Sequence, residues 1–114
     1  MLIVIGRVRC VPENREALVA ALERMQDASR REAGCIRYGF FAAVEDPLAF
    51  IAVEEWEDRE ALDRHFAQPH LQEFAQQLGE LVSERPEVAS TRSPGRAPSR
   101  ARPAIDRAAA ANGG

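Results

Sequence analysis

The residues best suited to chemistry fall in one short window. "EEWEDREALDRHFAQPHLQEF", residues 54–74, holds the only Trp of the chain, Trp56, and both of its His residues, His65 and His70. An imidazole titrates at about pH 6.5, so near neutrality it takes up or gives up a proton readily. An indole offers a flat apolar surface on which an aromatic ring stacks. Glu54 and Tyr38 add a carboxylate and a phenol. Such a set suits proton transfer on a small aromatic molecule. Each member also has a plainer reading: a hydrogen-bonded core His, a Trp that plugs a corner, a Glu that pairs with Arg7 or Arg37.

Whether they meet depends on the elements that carry them. Leu2 to Val11, "LIVIGRVRCV", is rich in β-branched residues and is predicted as a strand. Pro12 breaks it. From about Arg15 to Glu32, the apolar residues Leu18, Ala21, Leu22, Met25 and Ala28 recur at spacings of three and four, which makes one helix face. Gly34 is a suitable stop. Cys35 to Val44 returns to alternation, with Ile36, Tyr38, Phe40 and Ala42 expected on one face. After the "EDP" turn, Ala49 to Trp56 forms a third strand whose faces both begin apolar. That pattern points to helices over one side of the sheet and a second subunit over the other.

Asp58 is placed to cap the next helix. Its apolar face runs through Leu62, His65 and Phe66, and Pro69 is expected to kink or restart it. Leu71, Phe74 and Leu78 carry the face onward, and Glu87 to Thr91 is a short fourth strand. The order β-α-β-β-α-β is the ferredoxin-like unit, an α+β class with an antiparallel sheet. Strand parity and helix phase aim Tyr38, Glu54, Trp56 and His65 at one interior space. His70, just after Pro69, is the weaker candidate, expected at a helix start and exposed.

Composition excludes several roles. Residues 1–91 hold ten Arg against 17 Asp plus Glu, a net of −7, whereas residues 92–114 hold five Arg against Asp106, a net of +4. An acidic folded part does not suit nucleic acid, whose phosphates need clustered cations. No apolar run reaches the roughly 18 residues of a membrane span, and the amino terminus does not read as a signal peptide. Two cysteines, Cys10 and Cys35, make no disulfide framework and no zinc spacing. On the expected topology they sit on non-adjacent strands, too far apart to bond. These features lead to a cytoplasmic protein. Residues 92–114, rich in Arg, Ala and Pro, are expected to be a disordered tail.

The pieces "GCIRYGFF", "DPLAFIAVEEW" and "DREALDRHFAQPHLQEF" resemble the antibiotic biosynthesis monooxygenase (ABM) domain. The likeness rests on Gly34, Cys35 and Tyr38; on Asp46 and Pro47; on Glu54 and Trp56; on His65 and Phe66; and on Pro69, His70 and Phe74. It covers about residues 1–91. It implies a dimeric α/β barrel, a homodimer joined through the sheet face, and chemistry of the cofactor-free quinol monooxygenase kind. The haem-degrading branch is a poor match, with no Asn in the first strand and Ala75 near the place where an axial His belongs.

The resulting expectation is a cofactor-independent monooxygenase acting with O2 on quinol-type or polycyclic phenolic molecules, with no cofactor and no metal. His65 and Trp56 are the expected catalytic pair. Tyr38, Glu54, Phe66, His70 and Phe74 are expected to line the substrate cleft. Two alternatives stand beside it: a non-catalytic, small-molecule-binding or stress-associated dimer in which the same residues only pack, and an isomerase of a small carbonyl compound. Oxygen uptake with hydroquinones separates the first reading from the other two.

Overall fold

Among the described residues, four strands and three α-helices follow the β-α-β-β-α-β order that the periodicity predicts, the second helical region being divided in two, and a short 3-10 turn at Pro12–Asn14 precedes the first helix. The computed structural model of the chain describes residues 1–92, and the expectation of a disordered tail lies outside the described residues, apart from Arg92. Strands β1 (Leu2–Arg9), β2 (Cys35–Ala42), β3 (Ala49–Trp56) and β4 (Glu87–Arg92) make one sheet. Arg92, assigned to the tail on composition, ends β4 opposite Leu2. The sheet order is β2-β3-β1-β4, with every pairing antiparallel. Strand β3 therefore separates β1 from β2, as the ferredoxin-like topology requires. Both cysteines are free.

Helix α1 (Arg15–Arg30) buries Leu18, Ala21, Leu22 and Met25, the stripe at spacings of three and four. The second helical region is two helices, α2 (Arg59–Phe66) and α3 (Pro69–Leu81). Pro69 restarts the helix at a position where its missing N–H is harmless, so Ala67 and Gln68 form a joint. The Asp58 carboxylate caps α2 by accepting from the Ala61 N–H at 2.9 Å.

The helices lie on one face of the sheet over two apolar clusters. One gathers Leu2, Val4, Met25, Tyr38, Trp56, Ala61 and Leu62; the other gathers Cys10, Leu18, Leu22, Phe50 and Leu78. A bulge interrupts the β2–β3 ladder, where Cys35 faces Trp56 but Arg37 already faces Glu55. The extra residue shifts the parity of β2. Cys35 packs against the same cluster as Tyr38, while Ile36 is pushed out to 46% exposure. This corrects the expectation that Ile36 shares the face of Tyr38. On the opposite side of the sheet, Ile3 and Ile5 are buried yet belong to neither cluster under the helices.

No helix among the described residues is long and apolar enough to cross a membrane.

Candidate functional site

A small group of polar side chains is enclosed where the ends of α1, α2 and β3 converge. Its centre is Glu32, which follows α1 and has only 9% of its side chain exposed. The Glu32 carboxylate Oε2 accepts from His65 Nδ1 at 2.8 Å and from His70 Nε2 at 2.7 Å. A carboxylate oxygen accepts and does not donate, so these contacts put the protons on those two nitrogens. His65 lies in the last turn of α2 and is 1% exposed. With its Nδ1 proton committed to Glu32, its Nε2 lone pair is free, and it stands 3.8 Å from Glu54 Oε1. The same Glu54 oxygen accepts from the Trp56 indole N–H at 3.0 Å. Polar atoms thus run in a line from His70 through Glu32 and His65 to Glu54 and Trp56.

Aromatic rings enclose that line. The His65 ring lies 4.5 Å, centroid to centroid, from Trp56 and 5.6 Å from Tyr38. Trp56 itself is fully buried, because the last inward position of β3 falls beneath α2. What holds α2 at that distance is Gly34. Its φ of +84° suits glycine, and a Cβ there would clash with the Ala61 Cβ of α2. The Gly34 carbonyl also accepts from the Glu57 N–H at 2.8 Å, tying the start of β2 to the end of β3.

Burial sets the protonation states. Desolvation pushes the His65 pKa down, and the hydrogen bond to Glu32 opposes this only in part, so the imidazole is neutral near neutral pH and available as a base. Desolvation also raises Glu54 to about 7; the Trp56 hydrogen bond works against it, and the Glu32 charge adds to it. Tyr38 is held above the ordinary phenol range, first by burial and then by the Glu54 charge. Cys35 is raised to about 11 by burial and by Glu32 and Glu54, which leaves it a thiol and a poor nucleophile.

Four residues expected at the site, Tyr38, Glu54, Trp56 and His65, do meet. The expected ion pair of Glu54 with Arg7 or Arg37 does not form: Arg7 lies 3.9 Å from Glu87, Arg37 lies 3.5 Å from Glu55, and Glu54 takes the indole N–H instead. His70 is drawn into the cluster through Glu32 with its side chain 28% exposed, so it is more than an exposed helix start. Phe66 is 45% exposed, its ring 5.7 Å from that of His65, at the rim rather than inside. Phe74 packs on Phe40 at 5.9 Å, between the two apolar clusters.

Sequence reasoning missed Glu32. One signal was present: a carboxylate just past a helix C-terminus opposes the helix dipole and calls for a cationic or N–H partner. Among the described residues, Glu32, His65 and His70 also form a cluster of ligand-type side chains close enough together to contact one ion.

Fold and site together define a ferredoxin-like α+β domain whose polar groups lie between the sheet and α2. More particularly, the chain belongs to the antibiotic biosynthesis monooxygenase family, whose model matches residues 1–77. A Mycobacterium tuberculosis protein named "Putative monooxygenase Rv0793" is 35% identical over 80 residues, which is 70% of this chain and 78% of that one. The solved structure of Rv0793 superposes with a TM-score of 0.76 at 30% identity, covering 81% of this chain and 93% of that chain. A Synechocystis protein, sll1783, is 31% identical over 87 residues; the match spans 76% of this chain but only 59% of that protein.

Proposed function

We propose that this ABM-family domain oxidises quinol-type or polycyclic phenolic molecules with O2, with His65 as the base. The observation that carries the reading is the His65–Glu32 hydrogen bond, which turns a neutral, desolvated Nε2 toward Glu54 and the Trp56 ring. A phenol ring lodged against Trp56 and Tyr38 brings its hydroxyl to Nε2. Proton transfer leaves an electron-rich anion that hands electrons to O2 directly. A C–O bond forms at the ring carbon, and the resulting hydroperoxide loses water. One oxygen atom stays on the product as a carbonyl or hydroxyl, and the other leaves as water. All four electrons come from the substrate, so the stoichiometry calls for no external reductant. Glu54, near its own pKa at neutral pH, is placed to relay the proton. Trp56 and His65 are closed off from solvent, so entry requires the α2–α3 joint to open, between half-exposed Phe66 and the partly exposed His70.

The reading includes a homodimer formed through the sheet face opposite the helices. In its support, that face carries Ile3, Ile5, Ile51 and Val53, and Arg7 has buried Nε and Nη2 atoms without hydrogen-bond partners.

The test is O2 uptake with a panel of hydroquinones. Wild type is expected to consume O2 in a substrate-dependent way. His65→Ala is expected to lower kcat by roughly a hundredfold or more, and Trp56→Phe to act mainly on KM. Uptake unaltered by both substitutions overturns the assignment. The full burial of Trp56 and His65 favours one rival reading, in which they only pack; no uptake with any substrate would support it.

A further inference from the structure

We propose that Glu32, His65 and His70 form a binding site for one divalent transition-metal ion of the zinc class. Glu32, His65 and His70 each offer one ligand atom, these atoms all lie within 4.8 Å of one another, and the nitrogens nearest the Glu32 carboxylate are His65 Nδ1 and His70 Nε2. Two imidazoles and one carboxylate are a donor set that zinc and similar borderline ions accept, with a fourth position left to water. Bonds of about 2.0–2.2 Å in a tetrahedron separate the donors by roughly 3.3 Å. The contacts of 2.8 and 2.7 Å to Glu32 are a few tenths of an ångström shorter. A rearrangement of the three side chains admits an ion between the donors, the proton on each coordinating nitrogen passing to the other nitrogen of its ring.

A second feature points the same way. Glu32 Oε1 is buried with no hydrogen-bond partner, on a side chain more than nine-tenths buried. A dry, unpaired carboxylate oxygen is costly, and a cation held by Oε2 gives Oε1 a partner as well. The other nitrogen of His65 faces Glu54 at 3.8 Å, so an outer carboxylate stands ready for the ring N–H of a metal-bound imidazole. The ligands come from the segment after α1, the last turn of α2 and the first turn of α3. A bound ion would fasten the joint at Ala67 and Gln68 to the end of α1, and the partly exposed His70 gives the ion its way in.

Binding does not depend on the oxidative reading, but its consequence for activity does. With Nδ1 on the ion, the single proton of neutral His65 moves to Nε2, and the base is lost. Zinc would therefore inhibit quinol oxidation.

The experiment titrates the metal-stripped full chain with Zn2+ by calorimetry and with Co2+ by visible absorption. One ion per chain is expected, with the four-coordinate Co2+ spectrum. At a zinc concentration about a hundred times Kd, the melting temperature should rise by roughly 10 °C or more. His70→Ala and Glu32→Gln should each weaken binding at least about tenfold and abolish the Co2+ spectrum. Glu54→Gln should weaken it by about ten- to a hundredfold. No stoichiometric uptake by folded protein, or equal affinity in His70→Ala, overturns the site. Zinc uptake by a protein that shows no oxidase activity when metal-free upholds the site and removes the oxidative reading instead.

Discussion

Glu54 is the residue whose environment has the most measurable consequence. Its carboxyl is raised from 4.5 to about 7, chiefly by burial. A raised acid pKa means that the folded state holds the proton more tightly than the unfolded chain does. The associated stability is complete below pH 4.5 and is lost as pH rises through 7, a difference on the order of 3 kcal/mol. His65 acts in the opposite direction. Its lowered pKa gives stability present above the unfolded value and lost as pH falls through the folded one. The two are separated by comparing variants. Urea unfolding of Glu54→Gln should lack the loss between pH 4.5 and 7 that the wild type shows. Parallel pH profiles for the two proteins would mean that Glu54 is not desolvated in the native state. Glu54 and Trp56 were legible in the sequence because strand alternation fixes which way each points. The partner of Glu54 was not, because a charged guanidinium is the usual expectation for a buried carboxylate, and here an indole N–H two residues away takes that place.

Gly34 controls the placement of an element. Gly34→Ala combines a left-handed backbone angle with a Cβ that clashes with the Ala61 side chain, so either β2 or α2 must move. A stability loss on the order of 2 kcal/mol or more is expected, read as a lower urea midpoint. In an Ala61→Gly background the steric part disappears and only the backbone part remains, so the cost of Gly34→Ala should fall. An undiminished cost would show that the approach of α2 to Gly34 is not what strains the variant. The element order and the restart at Pro69 were readable from periodicity and from the missing N–H of proline. The bulge at Cys35–Arg37 was not, because an extra residue on one strand leaves no mark on the apolar pattern until the register with β3 is known.

For the whole molecule, the prediction concerns the sheet face away from the helices. Sedimentation at micromolar concentration is expected to give a species of twice the 12.6 kDa chain mass. Val53→Asp, on the face shared with Ile3 and Ile5, should yield monomers that keep the circular dichroism of the wild type. A wild-type monomer would overturn the dimer and leave the apolar face to another explanation.

The amino-acid sequence by itself determined the element order, the strand that separates β1 from β2, and the shared orientation of Tyr38, Glu54, Trp56 and His65. These follow from local rules: a period of two in strands, a period near 3.6 in helices, and the punctuation of Gly and Pro. Only the tertiary structure decided that Glu32 sits between His65 and His70, residues 33 and 38 positions away along the chain. No local periodicity encodes that meeting. It arises where the segment leaving α1 crosses beneath the α2–α3 joint, at a separation governed by the close packing of Gly34 against Ala61. The pKa shifts at the site follow from the same closure, because burial is a property of the assembled fold.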